Sequence, residues 1–247
     1  MMPKTKVFVF DLDDTLAESK QAIPVQIAYQ LSLLVKKYRV AILTGGQYQQ
    51  VKKQVIEQLH ESIDKRIDIL ACSGSQYRIN GGNVITDMIP AQQRERIKNL
   101  IELVAIEQGV WCENPVGAII EDRLAQVTFS ALGQQASPEA KSGWDVDKRK
   151  RQNLVDRLQN LVEGFDFRIG GSTSIDVTPV GRDKAYGMNR YLNLVGVTPF
   201  ETVYVGDSFT NSGNDFPVIA TGVHCIEVSG WKHTLQFLKW VNGEQVS

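Results

Sequence analysis

VFVFDLDDTL, Val7 to Leu16, places four apolar β-forming residues directly before two carboxylates, Asp11 and Asp13, and a Thr turn. A short apolar run bounded by polar residues predicts a buried parallel strand. Open α/β sheets present their ligand contacts at the carboxyl ends of such strands. Because the chain is expected to turn there, Asp11 and Asp13 can both crown the strand end. Two acids in that position call for a cation or a proton.

Working outward, strands and helices alternate. Ile27, Leu31, Leu34 and Val35 mark one face of a helix. VAIL (residues 40–43) is the next buried strand and runs into Thr44-Gly45-Gly46. Val51, Val55 and Leu59 recur at helical spacing, and IDILA (67–71) is a third strand. This β-α-β-α-β order predicts a parallel sheet with right-handed crossovers.

The pattern changes between about Asn83 and Val180. A helix carrying Ile97, Leu100, Ile101 and Val104 leads to two strands, 117–121 and 124–130, without a helix between them. A polar helix with Leu154, Leu158 and Leu161 on one face follows. FDFRIG and TSIDVTP are then strands around a tight Gly170-Gly171 turn. The charged run DVDKRKRQ (145–152) reads as the solvated face of a helix. Alternation resumes at Lys184, with a helix (Met188, Leu192, Val195), the strand TVYVG, a loop, the strand VHCIEV and a closing helix. The expected architecture is α/β: a Rossmann-like core with a parallel sheet, residues 1–83 and 184–247, carrying an inserted α+β domain over 84–183.

Bulk properties exclude several function classes. The chain has 247 residues, 43% hydrophobic and 22% charged, as in ordinary globular proteins. A net charge of −1 gives no footprint for nucleic acid or an anionic membrane. No apolar run approaches the roughly 18 residues needed to span a bilayer, and the N-terminus shows no secretory leader pattern. Cys72, Cys112 and Cys225 are odd in number and far apart, which argues against a disulfide framework and a zinc cluster. The expectation is a reduced, cytoplasmic protein. The three His read as surface or satisfied core residues, and the four Trp as packing anchors.

The core's strand ends supply chemistry. TVYVGDSFTNSGNDF puts Asp207 just past an apolar strand, followed by a loop holding Asn214 and Asp215. Thr44 ends another strand and Lys184 opens a helix. Converging carboxylates suit Mg²⁺, which prefers oxygen ligands and keeps waters for a phosphate. A carboxylate beside Mg²⁺ can attack phosphorus and form an aspartyl-phosphate. A hydroxyl and an ammonium can neutralise the transferring phosphoryl group. A second acid can protonate the leaving oxygen and then activate water.

This set resembles the haloacid dehalogenase (HAD) superfamily: D-x-D-x-T at Asp11 to Thr15, then Thr44, Lys184, and the GD…ND segment with Asp207, Asn214 and Asp215. By that resemblance Asp11 is the nucleophile and Asp13 the general acid/base. Thr44 and Lys184 steady the phosphoryl group, Gly45 and Asn214 lie among the substrate contacts, and Asp11, Asp13 (through its carbonyl), Asp207 and Asp215 hold Mg²⁺. The insert is similar to the C2-type cap of subclass IIB. Within the superfamily, IGGSTSIDVTPVGRDK (169–184) is similar to a segment of the eukaryotic-type phosphomannomutases, as are the eight-residue step from Asp207 to Asp215, the stretch IIEDR (119–123) and Asp147-Lys148. Carried over, Ser174 and Asp176 touch sugar hydroxyls, and Arg123 binds a distal phosphate. Relatives of this kind pair through their caps, so a homodimer is an implied expectation.

The departures bear on the outcome. The family places three cap arginines on the second phosphate, whereas here Gln134 and Lys141 stand at two of those positions. A neutral amide offers no charged fork, and Lys offers a flexible point charge. Arg182 replaces an aromatic residue, and Gln47 stands where the mutases carry serine, leaving Thr44 to supply the hydroxyl. The expected activity is therefore hydrolysis of a sugar phosphate or similar small phosphometabolite. Interconversion of mannose 1-phosphate and mannose 6-phosphate is the alternative, and a non-catalytic phosphosugar-binding protein a third reading. Opening and closing about hinges near Asn83 and Arg182 is expected.

Overall fold

The computed structural model describes residues 5–211 and 213–244. The chain forms two compact units: one comprises the residues up to Thr86 and from Arg182 onward, the other Asp87–Gly181. The junctions differ by a few residues from the 83/84 and 183/184 of the sequence reading. The first unit extends further because a short strand ending at Thr86 joins its sheet.

In the first unit, β1 (Val7–Phe10), α1 (Val25–Leu34), β2 (Arg39–Leu43), α2 (Tyr48–Gln54), α3 (Glu61–Asp64), β3 (Ile67–Ala71), β4 (Gln76–Arg78) and β5 (Ile85–Thr86) precede the insert. The inserted unit contains α4 (Ala91–Glu107), β6 (Ile120–Asp122), β7 (Val127–Ser130), α5 (Pro138–Trp144), α6 (Arg149–Gln159), β8 (Phe165–Gly170) and β9 (Ser174–Pro179). The chain then returns through α7 (Lys184–Val195), β10 (Thr202–Gly206), β11 (His224–Glu227) and α8 (Trp231–Asn242).

The core sheet runs β11-β10-β1-β2-β3-β4-β5. Its first five strands are parallel, and β1 lies between β10 and β2, with Phe10 opposite Val205 and Ile42. β4 and β5 add on antiparallel, a departure from the all-parallel expectation. QYR and IT are too short and too polar to announce themselves as strands. Alternate residues of each central strand enter different cores. Phe8, Phe10, Val40 and Ile42 pack with Ile27, Leu31 and Leu238, while Val7, Val9, Ala41 and Leu43 pack with Met188, Tyr191 and Leu192. Covering helices on both faces explain why VFVF and VAIL show no polar alternation. The expected helix through Leu59 stops at Gln54, since Val55 leaves the helical region and a 3₁₀ turn follows.

The inserted sheet is antiparallel throughout, in the order β6-β7-β9-β8. Val127, Phe129, Ile175, Val177 and Phe167 share a core with Ile97, Ile101, Val104, Leu154 and Leu158. The opposite face is polar, with Glu121, Thr128, Asp176 and Arg168 in cross-strand register. The expected strands begin later than read, because Gly117 and Leu124 have positive φ and belong to turns. Leu161 lies beyond the end of α6, though it still packs against the inserted core.

The charged run 145–152 departs most from the sequence reading. Only its second half is helical, and Arg151 and Asp145 are buried as a pair at 2.8 Å. Arg151 also donates to the carbonyls of Gly170 (3.2 Å) and Gly171 (2.7 Å), tying the start of α6 to the β8–β9 turn. Of the tryptophans, Trp111, Trp144 and Trp231 pack partly against the cores, whereas Trp240 is mostly exposed beside Phe237. Among the described residues, no helix is long and apolar enough to cross a membrane.

One close approach positions the helix that begins at Lys184. A Cβ added at Gly187 of α7 would lie 2.6 Å from the Ser73 carbonyl oxygen and 2.7 Å from Leu43 Cδ1. Backbone cannot yield cheaply there. Gly187→Ala is expected to destabilise the protein by about 1–3 kcal/mol, the usual cost of overpacking, read as a lower denaturation midpoint at unchanged m-value.

Candidate active site

The chain turns sharply after β1 because Asp14 adopts a left-handed conformation, φ 60°, that Asp tolerates better than most residues. Leu12 and Leu16, both fully buried, pin the turn to the core. The Asp11 amide still donates to the Val205 carbonyl at 2.9 Å, so Asp11 continues the β1–β10 ladder one residue past Phe10.

Lys184, at the first turn of α7, reaches the same place. Its Nζ lies 2.7 Å from Asp11 Oδ1 and 2.7 Å from Asp215 Oδ1, and all three side chains are buried. Asp183 caps this helix by accepting from the Tyr186 amide at 3.0 Å. Asp215 also accepts from the Tyr204 hydroxyl, and its Oδ2 takes the amides of Asp207 (3.1 Å) and Ser208 (3.0 Å). Thr15 Oγ1 donates to Asp207 Oδ1 at 3.0 Å. One oxygen from each of Asp11, Asp207 and Asp215 lies within 4.8 Å of the others.

Three carboxylates thus face one ammonium. Burial pushes the Asp11 carboxyl up to about 8, with Lys184 opposing and the Asp215 charge adding to the rise. Burial also raises Asp207, against the Thr15 hydrogen bond. Burial would raise Asp215 as well, but the Lys184 charge and the hydrogen bonds outweigh it and hold it below the usual range. For Lys184 burial acts downward, and the two carboxylates reverse it to a raised value. A divalent cation would complete this charge balance, and an all-oxygen donor set suits Mg²⁺. Asp215 is less free to bind it: both oxygens already accept two hydrogen bonds each, the capacity of a carboxylate. Asp11 and Asp207 therefore have the better claim as side-chain ligands, and Asp215 is placed to organise Lys184 and the Asp207 loop.

The Asp13 carboxylate is not in this cluster. Its Oδ1 accepts from the Lys20 amide (2.6 Å) and Gln54 Nε2 (3.1 Å), and its Oδ2 from Gln50 Nε2 (2.9 Å). Thr44 Oγ1 accepts from the Gly46 amide at 3.1 Å, bending the loop after β2, and the space beside Gly45 is open. Asn214 is exposed on its loop. Tyr204, Gln50 and Gln54 were not legible as site residues. Tyr204 looks like any aromatic strand residue, and two glutamines a helical turn apart carry no signature.

Within the inserted unit, Arg123 is nearly buried and its Nε and Nη2 both donate to Glu121 Oε2, at 3.0 and 2.6 Å. Asp176 accepts from Thr128 Oγ1 at 2.7 Å on the polar sheet face. Ser174 faces Ser130 across the strands. Lys141 Nζ donates to the Gln134 carbonyl at 2.7 Å, and the Gln134 Nε2 is buried without a partner among the described residues. In the first unit, Arg182 lies over the Tyr186 ring at 5.7 Å.

Residues 27–239 match the family model of eukaryotic phosphomannomutase. The chain belongs to that family. Among its relatives, phosphomannomutase 2 of Dictyostelium discoideum is 26% identical over 87% of this chain and 87% of its own. The phosphomannomutase of Encephalitozoon cuniculi is 27% identical over 86% and 83%, and human phosphomannomutase 1 is 23% identical over 86% and 82%. In fold, the chain is similar to a haloacid dehalogenase-like hydrolase from Bacteroides thetaiotaomicron (TM-score 0.67, 16% identity, 96% of this chain and 100% of that one). It is also similar to an IMP-nucleotidase from Plasmodium falciparum (TM-score 0.64, 17% identity, 96% and 68%). This phosphomannomutase-family chain is thus a HAD-type phosphotransferase with an α/β core built around a mostly parallel sheet.

Proposed function

We propose that the protein transfers the phosphoryl group of a sugar phosphate to Asp11 and that water is its main acceptor. Asp11 attacks phosphorus while Lys184 and Thr44 offset charge on the phosphoryl oxygens. Asp13 gives a proton to the departing sugar oxygen, then takes one from the water that attacks the aspartyl-phosphate. Mg²⁺, held by Asp11, Asp207 and the Asp13 carbonyl, would supply charge neutralisation at the phosphoryl group. The inserted unit is the proposed cap, with Ser174 and Asp176 for sugar hydroxyls and Arg123, Gln134 and Lys141 for a distal phosphate. Reduced Cys72, Cys112 and Cys225 are in keeping with a cytoplasmic protein. Pairing through the inserted unit belongs to the same proposal.

The observation that carries hydrolysis is the chemistry at Gln134 and Lys141. The Gln134 position offers only a neutral amide NH2, buried without a partner among the described residues, and the Lys141 ammonium is engaged by the Gln134 carbonyl. A charge-assisted hydrogen bond to phosphate is worth about 1.5–3 kcal/mol, so replacing a guanidinium fork loosens the distal grip about 10- to 100-fold. A bisphosphorylated intermediate would escape before turning round. Family membership favours the second reading, a phosphomannomutase. Incubation with Mg²⁺, mannose 1-phosphate and a catalytic amount of hexose bisphosphate separates them. The expected product is free phosphate in excess of mannose 6-phosphate, and quantitative isomerisation without phosphate would overturn hydrolysis.

A further inference from the structure

We infer that Gln50 and Gln54 form a two-amide clamp that positions the Asp13 carboxylate for its proton transfers, a role that rests on the phosphotransfer reading above. The two side chains stand one helical turn apart on α2 and converge on opposite oxygens of Asp13. Neither oxygen is left to choose its own orientation.

Each glutamine is anchored to a different part of the site. Gln54 is buried, and its Nε2 also donates to the Gln21 carbonyl at 2.7 Å, while its own backbone carbonyl accepts from the Ile23 amide. It therefore braces Asp13 against the chain leading into α1. Gln50 lies across the loop that follows Thr44: a Cβ at Gly46 would meet its Oε1 at 2.7 Å. It links the acid/base to the segment that receives the phosphoryl group. The Lys20 amide holds the remaining side of Oδ1. With α2 seated on the core through Val51, the clamp has a rigid base. Side chains that must hand a proton over within hydrogen-bond distance lose rate steeply when misplaced.

In the first half-reaction the Asp11–phosphorus bond forms, the bond from phosphorus to the sugar oxygen breaks, and that oxygen takes the Asp13 proton. In the second, water oxygen bonds to phosphorus, the aspartyl bond breaks, and Asp13 recovers a proton from the water. p-Nitrophenyl phosphate separates these halves, because its leaving group departs as an anion without an acid. The clamp then matters for the second half alone.

The test is a rapid-mixing experiment with Mg²⁺ and p-nitrophenyl phosphate on wild type, Gln50→Ala, Gln54→Ala, Asp13→Ala and the Asp13→Ala/Gln50→Ala double variant. Expected for both glutamine variants is a p-nitrophenol burst near one equivalent per site, followed by turnover lowered about 10- to 100-fold, part of the 10²–10⁴ that acid/base groups contribute. In the Asp13→Ala background, Gln50→Ala should cost nothing more, since it acts through Asp13. Turnover within about twofold of wild type in both single variants, or additive losses in the double variant, would overturn the clamp. A burst amplitude that falls in step with turnover would do so too, by pointing to misfolding. A wild type with no Asp11-dependent turnover would instead overturn the phosphotransfer reading, and the clamp with it.

Discussion

Asp11→Asn is expected to lower phosphate release by about 10⁴-fold or more, the scale on which nucleophile replacements act. The amide keeps the size and can still accept from Lys184, but it cannot form the acyl-phosphate bond. Wild type quenched in denaturant during turnover should carry covalent phosphate that hydroxylamine releases, and the variant should carry none. The fold should survive. Burial pushes the Asp11 carboxyl up to about 8, so the folded state holds its proton more tightly than the unfolded one across neutral pH, and ionised Asp11 costs stability there. A neutral Asn removes that cost, and the thermal midpoint without Mg²⁺ should match or exceed the wild-type value. Unchanged phosphate release in Asp11→Asn would mean that the activity belongs to something other than this site.

Arg151→Met should produce the largest loss of stability, about 3–5 kcal/mol, the cost of leaving one partner of a buried ion pair. At about 2–4 °C per kcal/mol for a chain of this size, the midpoint should fall by roughly 6–20 °C. Asp145 and Arg151 are both almost wholly buried, and the guanidinium also serves two carbonyls of the β8–β9 turn. Burial would raise the Asp145 carboxyl, but the Arg151 hydrogen bond and the amides of Lys150 and Arg151 hold it below the usual range. A depressed folded-state value gives stability that is present above the ordinary carboxylate pKa and is lost as pH falls through the folded one. The gap between wild type and variant should therefore be full at neutral pH and shrink in acid. Adding Asp145→Asn to Arg151→Met should recover part of the loss, because no unpaired charge remains. Equal midpoints at pH 7 would show that the pair contributes little.

The strand in VFVFDLDDTL, and the acids at its end, followed from local physics: an apolar run, then polar residues where such a strand stops. VAIL, IDILA and TVYVG gave the same message, and all four became neighbouring parallel strands. Lys184, Asp207 and Asp215 stood out by their places beside strands and helices, and the fold brings Lys184 Nζ to 2.7 Å from both Asp11 and Asp215 while the Asp207 amide donates to Asp215 at 3.1 Å. By contrast, DVDKRKRQ looked like a solvated face because charge in a sequence does not say whether a partner is present. Burial of Arg151 became affordable only when Asp145 and two turn carbonyls met it. β4 and β5 were missed because three and two residues show no period.

Asp13 illustrates the division within a single motif. Its position after β1 was determined by the sequence, since strand propensity, the tolerance of Asp14 for a left-handed turn, and the apolar character of Leu12 and Leu16 are all local properties. Where its carboxylate goes was decided by tertiary structure. Asp11 meets Lys184 and Asp215 across more than 170 residues of chain, while Asp13 is met by amides from α2 and the loop at Lys20. Period and propensity act between neighbours in sequence, whereas the charge and hydrogen-bond partners that set a carboxylate's chemistry are brought in by packing.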